Sequence, residues 1–452
     1  MPTLDRRDIL LDPRGIVDPT YLIYALPMLG IWVWYMSRRR KVQQHNLGAR
    51  KEAEIAGLAE PASLHPLIDP SVCIGCSACI RACPELPEHT VLGLIDGKAS
   101  LISAGDCIGH GACRTACPVG AISLVFGSER RGVDLPTLTP EFETSVPGIF
   151  IAGELGGMGL IRNALEQGRQ AVDVIAARAA GPAEPGLLDL VIIGAGPAGF
   201  SASLAAMAMK LSCVTVEQDS LGGCVFQYPR GKVVMTAPAE LPLVGKVKFR
   251  NTSKEDLLAF WQDVERKTGV KILYKHRVES IARTPAGFFV RTTHGEFRAR
   301  NVLLAIGRRG TPRKLGIEGE QLPKVVYRLM DAEQYRGKRV LVVGGGDSAL
   351  EAATSIAEAG AADVTLSYRG DAFARAKSRN RDRLQQATAS GQLRALLKSN
   401  VLKIEPDSVV VDCDGKPTKF GNDAVIVSAG GILPTAFLQG LGIAMETKHG
   451  TA

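Results

Sequence analysis

The chain has 452 residues, too many for one compact core, so two to four domains are expected. Apolar residues make up 46 % and glycines number 49, which excludes a fibrous or disordered protein and suits an α/β fold with many tight turns. The net charge of +8 comes from scattered basic residues, with no block dense enough for nucleic acid, so no nucleic-acid partner is expected.

The first predicted element lies near the N-terminus. Pro19 to Ser37 carries no charge, and Tyr21 to Met36 is almost wholly apolar or aromatic. This run has the length of a short spanning helix and predicts a transmembrane helix over 16–37. Tyr21, Tyr24, Trp32, Trp34 and Tyr35 would supply interfacial anchors. A cleaved signal peptide fits less well, because the run ends in Ser37-Arg38-Arg39-Arg40-Lys41 and not in small residues. A buried core helix would need cover on all sides, which nothing nearby in sequence supplies. The basic cluster outweighs Arg6, Arg7 and Arg14 before the run. The positive-inside rule therefore predicts a single-pass protein of the cytoplasmic membrane, with its body on the cytoplasmic side. Residues 38–64, polar and Ala-rich after the basic cluster, read as a partly helical linker.

Seven of the ten cysteines fall between Cys73 and Cys117 and define a module over 65–127. The first run is Cys73-x2-Cys76-x2-Cys79-x3-Cys83-Pro84. Three thiolates spaced by two residues can wrap one face of an iron–sulfur cube, with the fourth after a longer gap. A zinc site would normally need two separated pairs. The second run, Cys107-x2-His110-x2-Cys113-x3-Cys117-Pro118, repeats the spacing with histidine where the second cysteine belongs. This α+β segment resembles the bacterial two-cluster ferredoxins. The resemblance implies that Cys73, Cys76, Cys79 and Cys117 hold one 4Fe-4S cluster, and that Cys83, Cys107 and Cys113 hold the other. His110 has three readings: an iron ligand, a bystander at a three-iron (3Fe-4S) cluster, or a residue turned aside from a cluster that takes another ligand. Neutral imidazole in place of thiolate would make that cluster easier to reduce and suit it to be the exit towards a partner.

Beyond the module, Val146-Pro-Gly-Ile-Phe-Ile-Ala-Gly153-Glu154 precedes Ile161 to Gln170. A linker, Gly-Pro-Ala-Glu-Pro-Gly, ends at Gly186. The strand Leu190 to Ile193 then runs into Gly194-Ala-Gly196-Pro197-Ala198-Gly199 and an Ala-rich helix. These glycines allow the tight turn and the close approach of a pyrophosphate to a helix N-terminus. Glu217 ends the next strand, at the right distance to bind ribose hydroxyls. A second unit opens at Arg339 and carries Gly344-Gly-Gly346-Asp347-Ser348. Its following strand ends without an acid and meets Arg369 and then Arg375, which favours NADPH over NADH as the nicotinamide cofactor.

Residues 128–452 resemble the thioredoxin-reductase-like flavoproteins, which have two Rossmann-like dinucleotide-binding domains. Leu221-Gly222-Gly223-Cys224-Val-Phe-Gln-Tyr-Pro229 is similar to the subgroup of bacillithiol disulfide reductases. The resemblance implies FAD in the first unit, with Gly222, Gly223 and Gly307 beside it, and Gly153, Glu154 and Ile161 gripping the flavin. In that family the last motif follows the nicotinamide domain, whereas here it precedes the first glycine loop. This order predicts a circular permutation. The FAD domain would comprise 128–181, 186–311 and 430–452, around a nicotinamide domain at 312–429. The Cys-x-x-Cys pair of thiol-disulfide members is missing, and Cys213, Cys224 and Cys413 stand alone.

The resulting expectation is an oxidoreductase that moves electrons between NAD(P)H, FAD and two clusters, to or from a redox protein or a quinone-linked membrane partner. A homodimer is left open. The rival readings are a thiol-disulfide reductase and a non-catalytic electron-wiring or redox-sensing subunit of a membrane complex.

Overall fold

The computed structural model describes residues 19–55, 61, 64–86, 90–128, 132–157, 159–178, 184–235, 238–373 and 376–450. Arg6, Arg7, Arg14 and Arg375 lie outside the described residues, as do the side chains of residues 19–22 and 378.

The N-terminal element is a single helix, Pro19–Ile55. It corrects the expected transmembrane helix over 16–37: among the described residues no helix is long and apolar enough to cross a membrane. The apolar run of 16 residues spans only about 24 Å as a helix, short of a hydrocarbon core of roughly 30 Å. It also contains Pro27. Tyr and Trp dilute its hydropathy, and the helix continues through Arg38–Lys41 into polar sequence. The single-pass placement in the cytoplasmic membrane falls with it. The second half of the helix docks on the cysteine module. Asn46 is buried there and its Nδ2 donates to the Leu94 carbonyl at 2.9 Å, while Gln43 donates to Asp96 at 2.6 Å.

The module pairs His65–Ile68 antiparallel with Ile122–Val125 and adds the hairpin Leu92–Ile95/Lys98–Leu101. Two single-turn helices, Ala78–Arg81 and Ala112–Thr115, sit inside the cysteine runs. Cys73, Cys79 and Cys113 are themselves core, packed with Val91, Leu92 and Ile122.

The largest sheet is built around Leu187–Ile193, a strand apolar on both faces and buried by helices, as parallel sheets require. Parallel neighbours are Cys213–Glu217 and Gly295–Leu304. Ile149–Ile151 joins this sheet, parallel to Val302–Leu304. Helices Ile161–Arg178 and Pro197–Ala208 pack together on one face through Ala164, Ala171, Ala198 and Ala202. At the chain's end Met445–Lys448 pairs antiparallel with Val133–Pro136.

The second nucleotide domain has a five-stranded parallel sheet, centred on Arg339–Val343 between Asp363–Ser367 and Ala424–Val427. An antiparallel three-stranded sheet, Ser399–Gly421, lies beside it. The chain passes between the two domains along Thr311–Pro312 and Gly431–Ile432, which pair with each other.

Candidate functional site

Each nucleotide loop is shaped by glycines that no other residue could replace. Gly194 has φ +102°, and a Cβ there would fall 2.6 Å from the Ala305 carbonyl oxygen. Gly344 repeats this in the second domain, 2.4 Å from the Ser428 carbonyl oxygen. In both units, therefore, the loop is pressed against the end of the parallel strand next to its own. Gly346 instead faces open space, a Cβ on Gly196 would meet only the Gly222 carbonyl oxygen at 4.0 Å, and both serve as N-caps without a side-chain bond, leaving helix N–H groups for a phosphate. Pro197 and Ala198 open the first helix behind them, and Gly199 packs on the Gly194 carbonyl.

Glu217 is buried, and burial pushes its carboxyl pKa up. Backbone bonds oppose that shift: one carboxylate oxygen accepts from Ala195 N–H at 2.7 Å, the other from Asp219 N–H at 2.9 Å. The acid thus fixes the glycine loop and keeps further lone pairs for ribose. Gly222 donates to the Ala195 carbonyl, and Gly223 lies against Gly196. Gly307, at φ +66°, has open space at its missing side chain.

The segment before the first loop reaches the same place. A Cβ on Gly153 would meet the Ala198 methyl at 3.1 Å, and one on Gly168 would fall 2.0 Å from the Ala198 carbonyl oxygen. Gly153 N–H donates to Gln167 Oε1, which ties the turn to the helix that Ile161 begins. Glu154 lies at the edge of a cavity of about 1110 Å³ shared by the two domains. Its walls include Tyr228, Arg308 and Arg309 on one side and Gly344, Gly346, Ser348 and Arg369 on the other. Burial lowers the Arg308 pKa, and Glu154 and Asp134 partly offset it. Tyr228 is flanked by Lys232 and Arg309, at 5.2 and 5.3 Å from its ring. The sequence reading attached no role to Tyr228, Arg308 or Arg309. Asp347 does not face the cavity freely: its Oδ1 accepts from Lys377 N–H and Asn380 Nδ2. Arg369 is exposed at the cavity wall.

All ten cysteines are free thiols. In the module they form two sets. Cys79 lies within electrostatic reach of Cys73 and Cys76, and Cys113 of Cys107 and Cys83. Burial raises the thiol pKa of Cys79, Cys83 and Cys107, and pushes that of Cys113 up to about 11. Such thiols stay protonated unless a metal takes the proton's place. Cys83, Cys107, His110 and Cys113 line one small cavity, and His110 Nδ1 is buried with no hydrogen-bond partner. A buried imidazole nitrogen without a partner, in a residue that lines the same cavity as three thiols, fits a metal-binding role better than a packing role. Ala99 N–H donates to Cys73 Sγ at 3.4 Å, and Ala121 N–H to Cys117 Sγ at 3.3 Å. Among the described residues no three such side chains converge on a single metal ion.

The module abuts the flavin-side segment. The Phe126 ring lies against Gly157, and Arg162 stands close enough to depress the His110 pKa, second to burial.

The second dinucleotide loop opens on a cavity that Glu154, Tyr228, Arg308 and Arg309 of the first nucleotide domain border, and the cysteine module packs beside the Glu154 turn. The profile of the pyridine nucleotide-disulphide oxidoreductases matches residues 191–451, more than half of the chain, and the chain belongs to that family. A 4Fe-4S dicluster profile matches residues 65–118. The ferredoxin–NADP reductase of Ignicoccus hospitalis is 29 % identical over 265 residues, 58 % of this chain and 83 % of the relative. The bacilliredoxin reductase of Bacillus subtilis is 25 % identical over 267 residues, 58 % of this chain and 82 % of the relative. The solved bacillithiol disulfide reductase of Staphylococcus aureus shares the fold, with a TM-score of 0.50 and 24 % identity over 57 % of this chain and 80 % of its own. The chain is an NAD(P)H-dependent flavin oxidoreductase with an iron–sulfur module.

Proposed function

We propose that this enzyme passes electrons between NADPH and a redox protein, using FAD and two four-iron clusters held in one chain. Bound FAD exchanges electron pairs with NADPH and single electrons with the clusters. The observation that carries the reading is the packing of the cysteine module on the flavin-side turn through Phe126 and Gly157. Gly194, Gly196 and Gly199 would seat the FAD pyrophosphate, with Glu217 on its ribose. Gly153, Glu154 and Ile161 would border the flavin. Gly344, Gly346 and Ser348 would seat the nicotinamide dinucleotide, with Arg369 at the 2′-phosphate; Asp347 acts by pinning the loop to Lys377 and Asn380. Cys73, Cys76, Cys79 and Cys117 would hold one cluster. Cys83, Cys107, Cys113 and His110 would hold the second, with imidazole supplying its fourth ligand.

The FAD domain is read as a circular permutation. Two pairings support this: Ile149–Ile151 on the central sheet, and Met445–Lys448 on Val133–Pro136. A Cβ on Gly132 would fall against Thr447 Cγ2, and this closeness of the two segments supports the permuted reading.

A thiol-disulfide role is disfavoured, because residues 128–452 hold no Cys-x-x-Cys pair and their Cys213, Cys224 and Cys413 stand alone as free thiols. The test is NADPH oxidation with a ferredoxin as acceptor, before and after iron removal. The loaded enzyme should reduce the ferredoxin, and the iron-free enzyme should reduce only menadione. Equal ferredoxin reduction by both would overturn the proposal.

A further inference from the structure

The two halves of the cysteine module face different surroundings. The half with Cys83, Cys107, His110 and Cys113 is turned inward. Phe126 at its end packs on Gly157 of the flavin-side turn, Arg162 of the flavin-side helix stands beside His110, and Lys377 of the nicotinamide domain lies within electrostatic reach of Cys107. The half with Cys73, Cys76 and Cys79 is turned outward. Cys76 is exposed, and Ile74 and Val72 beside it are 63 % and 41 % exposed.

Cations rim this outward edge. Arg81 donates to the Cys76 carbonyl at 3.4 Å, and Lys98 Nζ donates to the Cys73 carbonyl at 2.6 Å. The Arg39 guanidinium lies over Gly97, whose carbonyl in turn lies over Gly75. Arg38, Arg40 and Lys41 flank Arg39 on the same exposed helix. The acids here are Asp69, engaged by Ser71, and Asp96, engaged by Gln43. A small apolar centre with a cationic rim is the pattern of a transient interface that selects its partner by charge.

We infer that the Ile74–Cys76 edge, rimmed by Arg39, Arg81 and Lys98, is the docking surface for an acidic one-electron carrier protein. This rests on the electron-transfer reading above and adds the place and sign of the partner contact. It also moves the exit: the sequence alone put it at the His110 half, which is instead the half beside the flavin. Both halves carry features that favour accepting an electron. Imidazole would do this at the inner cluster, and the N–H bonds to Cys73 and Cys117 sulfurs at the outer one.

The test uses the full chain with its clusters loaded. The probe is an oxidised acidic two-cluster ferredoxin, with basic cytochrome c as the opposite charge. Affinity is read by calorimetry from about 20 to 300 mM salt. Ferredoxin should bind at low salt and weaken about tenfold or more across that range, while cytochrome c should not bind. The Arg39→Glu/Arg81→Glu double variant should weaken ferredoxin about tenfold. Arg114→Glu, on the companion helix of the inner half, should leave it unchanged. Iron content and the cluster spectrum confirm that each variant is folded. Unchanged affinity in the double variant, or an equal loss in Arg114→Glu, overturns the docking surface. If ferredoxin binds the unmodified protein as stated but the loaded enzyme does not reduce it with NADPH, the electron-transfer reading itself falls while the docking surface stands.

Discussion

Gly168→Ala is the most direct probe of how the segment before the first glycine loop is joined to the flavin domain. The added Cβ would lie 2.0 Å from the Ala198 carbonyl oxygen, and the neighbour is backbone at the start of a buried helix. No side-chain rotation can relieve the overlap. Helices Ile161–Arg178 and Pro197–Ala208 must part by about 1.4 Å to regain van der Waals contact. Overpacking of this kind costs roughly 1–3 kcal/mol. For a domain of this size that lowers the melting temperature by about 2–12 °C. The same movement shifts Gly153 and Ile161, so the FAD-to-protein ratio should fall as well. Gly440→Ala is the control, since nothing lies within 4 Å of its added methyl and its φ is ordinary. Differential scanning fluorimetry and flavin absorbance read both effects. A Gly168→Ala protein with full FAD and a melting point within about 1 °C of the parent would refute this packing.

Three further outcomes follow from the site. Arg369→Ala should raise KM for NADPH about tenfold or more and leave KM for NADH nearly unchanged, because a charged hydrogen bond to the 2′-phosphate is lost; equal losses would remove Arg369 from that role. His110→Cys should keep the iron content and lower the potential of one cluster, and nitrogen hyperfine coupling should vanish from its reduced spectrum; an unchanged potential together with absent coupling in the parent would exclude ligation by His110. Deletion of residues 1–41 should leave FAD binding and NADPH–menadione turnover intact, because every proposed cofactor residue follows His65; loss of flavin on truncation would show that the helix supports the site.

The cysteine runs and the glycine loops were legible because their chemistry is local. Ligand spacing within a turn and a strand–glycine–helix pattern need no knowledge of the rest of the chain. What the sequence misjudged depends on surroundings. The Tyr21–Met36 run looked like a membrane span by its lack of charge, yet it forms only the first part of a longer helix that continues through the basic cluster. Residues 38–64 read as a partly helical linker, and what the sequence does not show is that Asn46 on that helix is buried against a hairpin that only the fold brings near. Asp347, expected at the cofactor, lines the cavity with its Oδ1 held by Lys377 N–H and Asn380 Nδ2, partners that the sequence pattern does not show. Which half of the module packs on the Gly157 turn is not written in the sequence, since it is set by Phe126 against Gly157 and by Arg162, contacts distant in the chain's pattern.

The central claim is that electrons from NADPH reach the clusters through the flavin of the same chain. Anaerobic titration with NADPH, followed by flavin absorbance and low-temperature electron paramagnetic resonance, tests it directly. The account predicts that the flavin bleaches and that a reduced-cluster signal with nitrogen coupling from His110 rises with it. If the flavin bleaches under NADPH while both clusters stay silent, and dithionite then brings both signals up, the clusters are not on the path and the account is contradicted.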